Sequence, residues 1–140
     1  MITIKIAKGN EFLHAEKIRE TVFVKGQQIP KHMDFDGKDA ESKHFLLFAG
    51  EKPVGCARLR LVKGKAKIER MAILESHRGK GHGSSLVKHI LKYCKRMKIK
   101  TAYLHSQIKV KDFYKKHGFI QKGSKFKETG IDHVLMQTKI

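Results

Sequence analysis

Apolar and polar residues alternate along several segments of this chain. Ile2, Ile4 and Ile6 alternate with polar residues, which is typical of a half-buried β-strand. Similar short apolar runs bounded by turn residues predict further strands at residues 44–49, 54–62, 66–74, 101–106, 119–126 and 133–139. A turn around Gly130 is expected to join the last two of them.

Three other segments carry apolar residues at helical spacing. This spacing predicts helices at residues 11–24, 84–98 and 110–117. The second helix lies between two strands as a βαβ unit, so those strands are expected to be parallel. The polar stretch 26–43 predicts a long loop. The pattern predicts an α/β (α+β) fold, a mixed sheet with helices on both faces.

Length and composition fit one folded domain spanning residues 1–140. The chain has 140 residues, 40% of them apolar, and shows no repeat or linker. No stretch reaches the roughly twenty apolar residues that a membrane span needs, and the N-terminus lacks the apolar core of a signal peptide. Cys56 and Cys94 are too few for a disulfide scaffold. We therefore expect a reduced, cytoplasmic protein with no membrane contact.

The net charge of +18 is the unusual bulk property. Such a field raises the local concentration of polyanions, so nucleic acid and a phosphate-bearing cofactor are both candidate partners. A lysine-rich solvated surface explains the same charge equally well. The nine histidines form no HExxH or HxH pair, and we expect no metal site.

Residues 76–85 read SHRGKGHGSS and link a predicted strand to a predicted helix. Helix N-termini offer unpaired N–H groups to anions, and glycines let a phosphate approach the backbone. The spacing excludes a Walker A loop and the Rossmann fingerprint. It matches [RQ]-x-x-G-x-[GA] as Arg78, Gly81 and Gly83. The sequence therefore predicts a phosphate-binding turn here.

Three segments together resemble the GNAT (Gcn5-related N-acetyltransferase) superfamily. They are the phosphate-binding turn, the strand IERMAI at 68–73 before it, and DFYKKHGF at 112–119, which is similar to the family's FYxKxGF segment. The resemblance implies a mostly antiparallel sheet of about six to seven strands with one splayed parallel pair. Similarity to the ElaA-like branch rests on HFL at 44–46, ARLR at 57–60, Gln107 and DH at 132–133.

The resemblance also implies acetyl-CoA as cosubstrate. By the family pattern, its pantetheine arm would run along the strand containing Met71, Ala72 and Ile73. Gln107 stands where many members have an asparagine that contacts the cofactor. The pyrophosphate would lie on the turn formed by Arg78, Gly79, Lys80, Gly81, His82, Gly83 and Ser84.

Two side chains are candidates for catalysis. Glu69 is the candidate general base for the amine, because it is a rare carboxylate at the strand edge near the expected thioester; the alternative is a solvated or salt-bridged glutamate next to Arg70. Tyr114 matches the tyrosine of the family's FYxKxGF segment and is the candidate acid that protonates the departing thiolate, with a packing aromatic as the alternative. The backbone N–H of Met71 or a neighbour would stabilise the oxyanion.

The acceptor is less defined. His105 and His133 are candidates for lining the acceptor pocket, with satisfied or exposed histidines as the alternative. Arg58 and Arg60 share a strand face and are candidates for gripping an acidic acceptor, with solvent exposure as the alternative.

We therefore expect an N-acetyltransferase that transfers an acetyl group directly to a primary amine of a small molecule or peptide. Two other classes stay open: a basic nucleic-acid- or ribosome-binding module, and a GNAT fold that binds coenzyme A without catalysis. The first would need aromatic stacking platforms among its basic residues. The protein would be a monomer or a homodimer.

Overall fold

A computed structural model describes residues 1–140 and places seven strands in a single sheet. The sheet order is β1-β2-β3-β4-β5-β7-β6, and every neighbouring pair is antiparallel except β4 and β5. This arrangement confirms the predicted mixed, mostly antiparallel sheet. The strands are β1 (Ile2–Ile6), β2 (Lys43–Ala49), β3 (Lys52–Val62), β4 (Lys65–Ile73), β5 (Thr101–Gln107), β6 (Ile120–Glu128) and β7 (Ile131–Lys139).

Four α-helices accompany the sheet, and none of the helices is long and apolar enough to cross a membrane. The predicted first helix continues as a π-helical turn, Glu20–Lys25, and the predicted loop at 26–43 contains a short helix and a 3-10 turn, Asp39–Glu41. The π-helical turn widens the helix just before it enters this segment. The helices are α1 (Phe12–Arg19), α2 (Lys31–Asp34), α3 (His82–Arg96) and α4 (Lys111–Lys115).

The two faces of the sheet carry separate apolar clusters. Alternate residues of a strand point to opposite faces, so Phe45 packs with the residues of α3 and Leu46 with those of α1. On β3, Cys56 lies on the α1 side while Ala57 lies on the α3 side, as the sequence pattern predicts. The helices therefore cover both faces.

The parallel pair separates soon after it forms. Strands β4 and β5 are paired only from Ala66–Ala102 to Ile68–Leu104, so the rest of β4 has no partner on this side. On its other side, the register against β3 shifts at Arg70, whose φ of 54° is unusual for a side chain other than glycine. The splay and the bulge together open the sheet between β4 and β5.

Candidate active site

A cavity of about 630 Å³ lies where β4 and β5 diverge. It is lined from both faces of the sheet. On the α3 side its wall consists of the glycine loop (residues 78–84) together with Phe113 and Tyr114. On the α1 side the wall consists of the segment 22–34, the end of β5 and the hairpin that joins β6 to β7. The sheet opening therefore connects two distinct compartments.

The glycine loop delivers backbone N–H groups to this cavity. Gly81 is the N-cap of α3 with a φ of 80°, and Gly79 has a φ of 76°, a backbone region that favours glycine. The first helical hydrogen bond runs from the Ser85 N–H to the Gly81 carbonyl, and no side chain caps the helix. The preceding N–H groups have no protein partner, an arrangement that favours an anion at this end of α3.

His82 points to the same conclusion. The residue is only 9% exposed and lines the cavity, and its Nδ1 atom has no hydrogen-bond partner. A buried polar atom normally finds a partner, so an unpaired one in a residue of the cavity wall is an unusual feature of this end of α3. Arg78 also lines the cavity, and its Nε donates to the Ile73 carbonyl at 2.8 Å.

Other residues of the glycine loop have surroundings that the sequence did not predict. Gly83 lines the cavity, but a Cβ atom there would stand 3.2 Å from Phe113 Cζ, so this glycine allows α3 to pack against α4. The Ser84 hydroxyl lies 3.1 Å from His117 Nε2. The Lys80 side chain is exposed and lies outside the cavity lining, so its charge acts from a distance.

The unpaired part of β4 forms the next section of the cavity wall. Met71 and Ile73 line it, whereas the Ala72 side chain is buried on the α1 side and can contribute only its backbone. Since no strand pairs with this part of β4 on the β5 side, its free edge can form strand-like hydrogen bonds with an extended ligand. Gln107 also lines the cavity, and its Nε2 donates to Gln27 Oε1 at 2.9 Å, which joins β5 to the segment 22–34.

Tyr114 lies in the cavity wall, and its hydroxyl has only one weak hydrogen-bond partner. The residue is buried, and the hydroxyl donates only to Met71 Sδ at 3.7 Å, a weak acceptor. Burial raises the pKa of Tyr114 to about 12, so the hydroxyl keeps its proton throughout the neutral range. The side chain is thus a standing hydrogen-bond donor aimed at the part of the cavity next to β4.

Glu69 is held by cations on three sides. Its carboxylate contacts Arg58 Nη2 at 3.0 Å, Arg60 Nε at 2.7 Å and Lys67 Nζ at 3.3 Å. Although burial raises the pKa of Glu69, these contacts outweigh it and lower the pKa to about 2. Such a carboxylate binds a proton weakly, which makes it a poor general base at neutral pH. The geometry favours the ion-paired alternative for Glu69, with partners other than its neighbour Arg70.

Arg58 belongs to a larger buried charge cluster. It is fully buried and pairs with Asp36 at 2.8 Å and Asp39 at 3.0 Å, and Arg19 pairs with Asp34 at 3.2 Å and Asp39 at 2.7 Å. We call Arg19, Asp34, Asp36, Asp39, Arg58, Arg60, Lys67, Glu69 and Arg70 the charge cluster. Because Arg58 and Arg60 are occupied within it, neither expected role, acceptor grip or solvated strand face, fits them.

A second group of polar residues was recognised only in part from the sequence. His105 Nδ1 lies 2.9 Å from Glu128 Oε1, and His133 Nε2 lies 3.8 Å from Glu128 Oε2. All three residues line the cavity. Glu128 was missed, because its partners stand 23 and 5 positions away and no motif links them. The turn at Thr129 and Gly130, which brings Glu128 next to His133, is the available signal.

No group of three or more His, Cys, Asp or Glu side chains is arranged to hold a metal ion. Cys56 and Cys94 are both free and buried, and burial raises the pKa of both thiols. Neither cysteine lines the cavity. The polar groups that line the cavity are backbone amides, a tyrosine, histidines, carboxylates, lysines and arginines.

Comparison with known proteins identifies relatives over nearly the whole chain. The sequence profile described as "Acetyltransferase (GNAT) domain" matches residues 11–140. A Bacillus subtilis protein described as the uncharacterized N-acetyltransferase YjcF is 38% identical over 133 residues, which cover 94% of this chain and 95% of the relative.

Solved structures show the same fold. Escherichia coli ElaA superimposes with a TM-score of 0.88 at 26% identity, and the match covers 99% of each chain. An acetyltransferase from Elizabethkingia anophelis, solved with acetyl-CoA bound, matches in fold with a TM-score of 0.78 at 16% identity over 99% of this chain and 98% of its own. Together with the profile match, these likenesses establish that the chain belongs to the GNAT family of N-acetyltransferases.

Proposed function

We propose that this protein transfers the acetyl group of acetyl-CoA directly to a primary amine of a small molecule or peptide. The observation that carries the proposal is the set of unpaired N–H groups at the start of α3, next to the orphaned Nδ1 of His82. Acetyl-CoA has a diphosphate that suits this end of the cavity, and when bound it would supply the thioester from which the acetyl group is transferred.

The residues of the cavity fit the rest of that ligand. The diphosphate would be held by the backbone of Gly79, Gly81, His82 and Gly83, with Arg78 nearby to balance its charge. The free edge of β4 from Met71 to Ile73 suits the amide-bearing pantetheine arm, because an extended chain can pair with an unpartnered strand. Lys80 and Gln107 would contribute at the margins of this site.

We assign Tyr114 the task of donating to sulfur as negative charge develops there. Its proton is retained at neutral pH, and its hydroxyl has only a weak acceptor in the resting protein. The backbone N–H of Met71 is the candidate donor to the acetyl oxygen. We propose a structural role for Glu69, because its carboxylate is ion-paired with Arg58, Arg60 and Lys67.

The nucleic-acid alternative finds little support in the surface. None of the phenylalanines or tyrosines is among the exposed large apolar side chains, which are Met1, Leu13, Met33, Leu61, Met97, Val110 and Ile120. A binder of single-stranded nucleic acid needs exposed aromatic faces for base stacking. We also propose a cytoplasmic location, since unpaired cysteines are usual where thiols are kept reduced.

A thermal-shift comparison tests the function directly. Acetyl-CoA at 100 times its Kd should add about 2.7 kcal/mol to the free energy of unfolding, because it binds only the folded state. Adenosine 3′,5′-bisphosphate, which lacks both the diphosphate and the pantetheine arm, is the matched control and should add much less. An unchanged melting temperature with acetyl-CoA would overturn the proposal. Release of free thiol with an amine present separates an enzyme from a fold that only binds coenzyme.

A further inference from the structure

The cavity has a polar centre on the sheet face away from the glycine loop. Leu104 packs in the core on the α3 side, so His105, next along β5, points to the opposite face. There it meets Glu128 from β6 and His133 from β7. Because coenzyme phosphates belong at the start of α3, this second compartment is the part of the cavity left for the acceptor.

The hydrogen bonds of His133 fix which of its nitrogens is free. Nδ1 lies 2.7 Å from the Ile131 carbonyl, and a carbonyl can only accept, so Nδ1 carries the proton. In the neutral ring Nε2 is then an acceptor, and it faces Glu128 Oε2 at 3.8 Å. Two acceptors face each other across a gap with no proton between them. A ligand that brings N–H donors satisfies both.

The charges around Glu128 keep it available as an anion. The hydrogen bond from His105 is the main cause that lowers the pKa of Glu128, and the charge of Lys67 acts in the same direction. Lys67 is the charged group that faces it from β4, and that lysine is paired with Glu69. Glu128 itself is partly exposed to the cavity, with 39% of its side chain accessible.

The segment 22–34 contributes a mainly apolar surface to this compartment. Its apolar lining residues are Val22, Phe23, Ile29 and Met33, and its polar ones are Gln27 and Asp34. The contact between Gln107 and Gln27 holds this wall against the end of β5. An acceptor that fills the compartment can therefore contact a carboxylate and two imidazoles as well as apolar side chains.

Building on the proposed function, we propose that Glu128, His105 and His133 form the acceptor site, which binds and deprotonates the ammonium of an apolar primary amine. The ammonium donates to Glu128 Oε2 and His133 Nε2, and the apolar body lies against Phe23 and its neighbours. His105 positions Glu128 through their hydrogen bond. An acceptor with a carboxylate next to its amine is disfavoured, because it would place a second negative charge beside Glu128.

The proton transfers balance over one turnover. The ammonium gives its first proton to His133 Nε2, which leaves a neutral amine to attack the acetyl carbon. As the carbon–nitrogen bond forms, the carbon–sulfur bond breaks and Tyr114 gives its proton to sulfur. The second proton of the amine nitrogen leaves to solvent, from which Tyr114 is reprotonated, and His133 releases its proton before the next cycle.

The test uses phenethylamine and phenylalanine, which differ only by the carboxylate next to the amine. Wild-type protein should acetylate phenethylamine with a kcat/KM at least tenfold above that for phenylalanine. Glu128→Gln should lower the phenethylamine kcat/KM at least tenfold. Calorimetry on protein saturated with coenzyme A should show phenethylamine binding weakened at least fivefold by the same change. Asp132→Asn is the matched control: this carboxylate lies on the same hairpin, pairs with Lys125 and Lys127, and is outside the cavity lining.

Coenzyme A binding, measured separately, distinguishes the two levels of the account. If the wild type binds coenzyme A but prefers phenylalanine or acetylates neither amine, the acceptor site is wrong and the proposed coenzyme site stands. Equal kcat/KM for Glu128→Gln and Asp132→Asn would overturn it in the same way. If coenzyme A does not bind at all, the proposed function itself fails. Retained coenzyme affinity and melting temperature in Glu128→Gln show that the variant is folded.

Discussion

The charge cluster and the glycine loop are both rich in polar groups, yet they are opposite in how those groups are satisfied. In the charge cluster, Arg58 and Arg19 are fully or almost fully buried and have carboxylate partners. In the glycine loop, backbone N–H groups and His82 Nδ1 lack protein partners. The polar groups of the first region stabilise the fold, whereas those of the second lack protein partners and are the groups that we propose bind the coenzyme.

This contrast explains why residue type alone is a weak guide to function. Glu69 and Arg58 are the kinds of residue that catalysis uses, but their contacts join the segment 34–39 to β3 and β4. The unusual φ of Arg70 has a similar reason, since its guanidinium reaches Asp34 Oδ1 at 3.1 Å and Asp36 Oδ2 at 3.2 Å. Charged residues near a functional site can thus serve to hold the segments that form its walls.

The largest predicted effect comes from breaking the charge cluster. Arg58→Met should lower the free energy of unfolding by about 3–5 kcal/mol, because it removes the buried cation that Asp36, Asp39 and Glu69 share. Chemical denaturation measures the loss. Lys125→Met removes an exposed partner of Asp132 and should change stability by less than about 0.5 kcal/mol. Equal stabilities of the two variants would contradict the structural role of the cluster.

The next effect separates chemistry from stability. Tyr114→Phe should lower kcat about 10- to 100-fold, because it removes the donor to sulfur, and leave coenzyme affinity within about twofold. Steady-state kinetics and calorimetry measure the two quantities. Tyr103→Phe deletes a hydroxyl outside the cavity lining and serves as the control. An unchanged kcat for Tyr114→Phe would remove Tyr114 from the mechanism.

A third prediction concerns the stability of the protein at acidic pH. The pKa of Glu69 is about 2 in the folded protein against 4.5 for an ordinary glutamate, so its stabilising effect is complete above pH 4.5 and is lost as the pH falls towards 2. Glu69→Gln should therefore lower stability at pH 7 by on the order of 2 kcal/mol and flatten the acid limb of the stability profile. Glu75→Gln, at an exposed site without an ion pair, is the control.

The same variant tests the assignment of the base. If Glu69 acts through structure, kcat at pH 7.5 should fall less in folded Glu69→Gln than in Tyr114→Phe. A loss of 10²-fold or more with intact structure would restore Glu69 as the general base.

The smallest effect belongs to the glycine loop. Arg78→Met should raise the Kd for coenzyme A about tenfold, because it removes a cation beside the diphosphate site, and leave the melting temperature nearly unchanged. Lys80→Met removes an equal charge outside the cavity lining and should weaken binding less. If the two variants weaken coenzyme binding equally, Arg78 acts through the net charge of the protein and not through its position beside the diphosphate site.

Local patterns predicted most of the fold. The alternation around Cys56 and Ala57, the βαβ unit and the glycine loop depend on neighbours within a few residues, and the structure confirms them. The first helix was predicted in its place, but its change to a π-helical turn at Glu20 was not. Helix and π-turn differ by one hydrogen-bond step, which leaves no clear trace in apolar spacing.

Partnerships across the chain were beyond the sequence. Arg58 pairs with Asp36, 22 positions away, and His105 with Glu128, 23 positions away. Such contacts depend on the sheet order and on the segment 34–39, neither of which local periodicity specifies. The close packing of Gly83 against Phe113 was not predicted for the same reason, because Phe113 comes from another helix.

The most direct test of the account follows the backbone amides of the glycine loop by NMR during a titration with coenzyme A. We predict saturable shifts of the amide signals of Gly81, His82, Gly83 and Ser84, and no comparable shifts with pantetheine, which lacks the diphosphate. Amide signals that stay unchanged at saturating coenzyme A, or that respond equally to pantetheine, would contradict diphosphate binding at the start of α3.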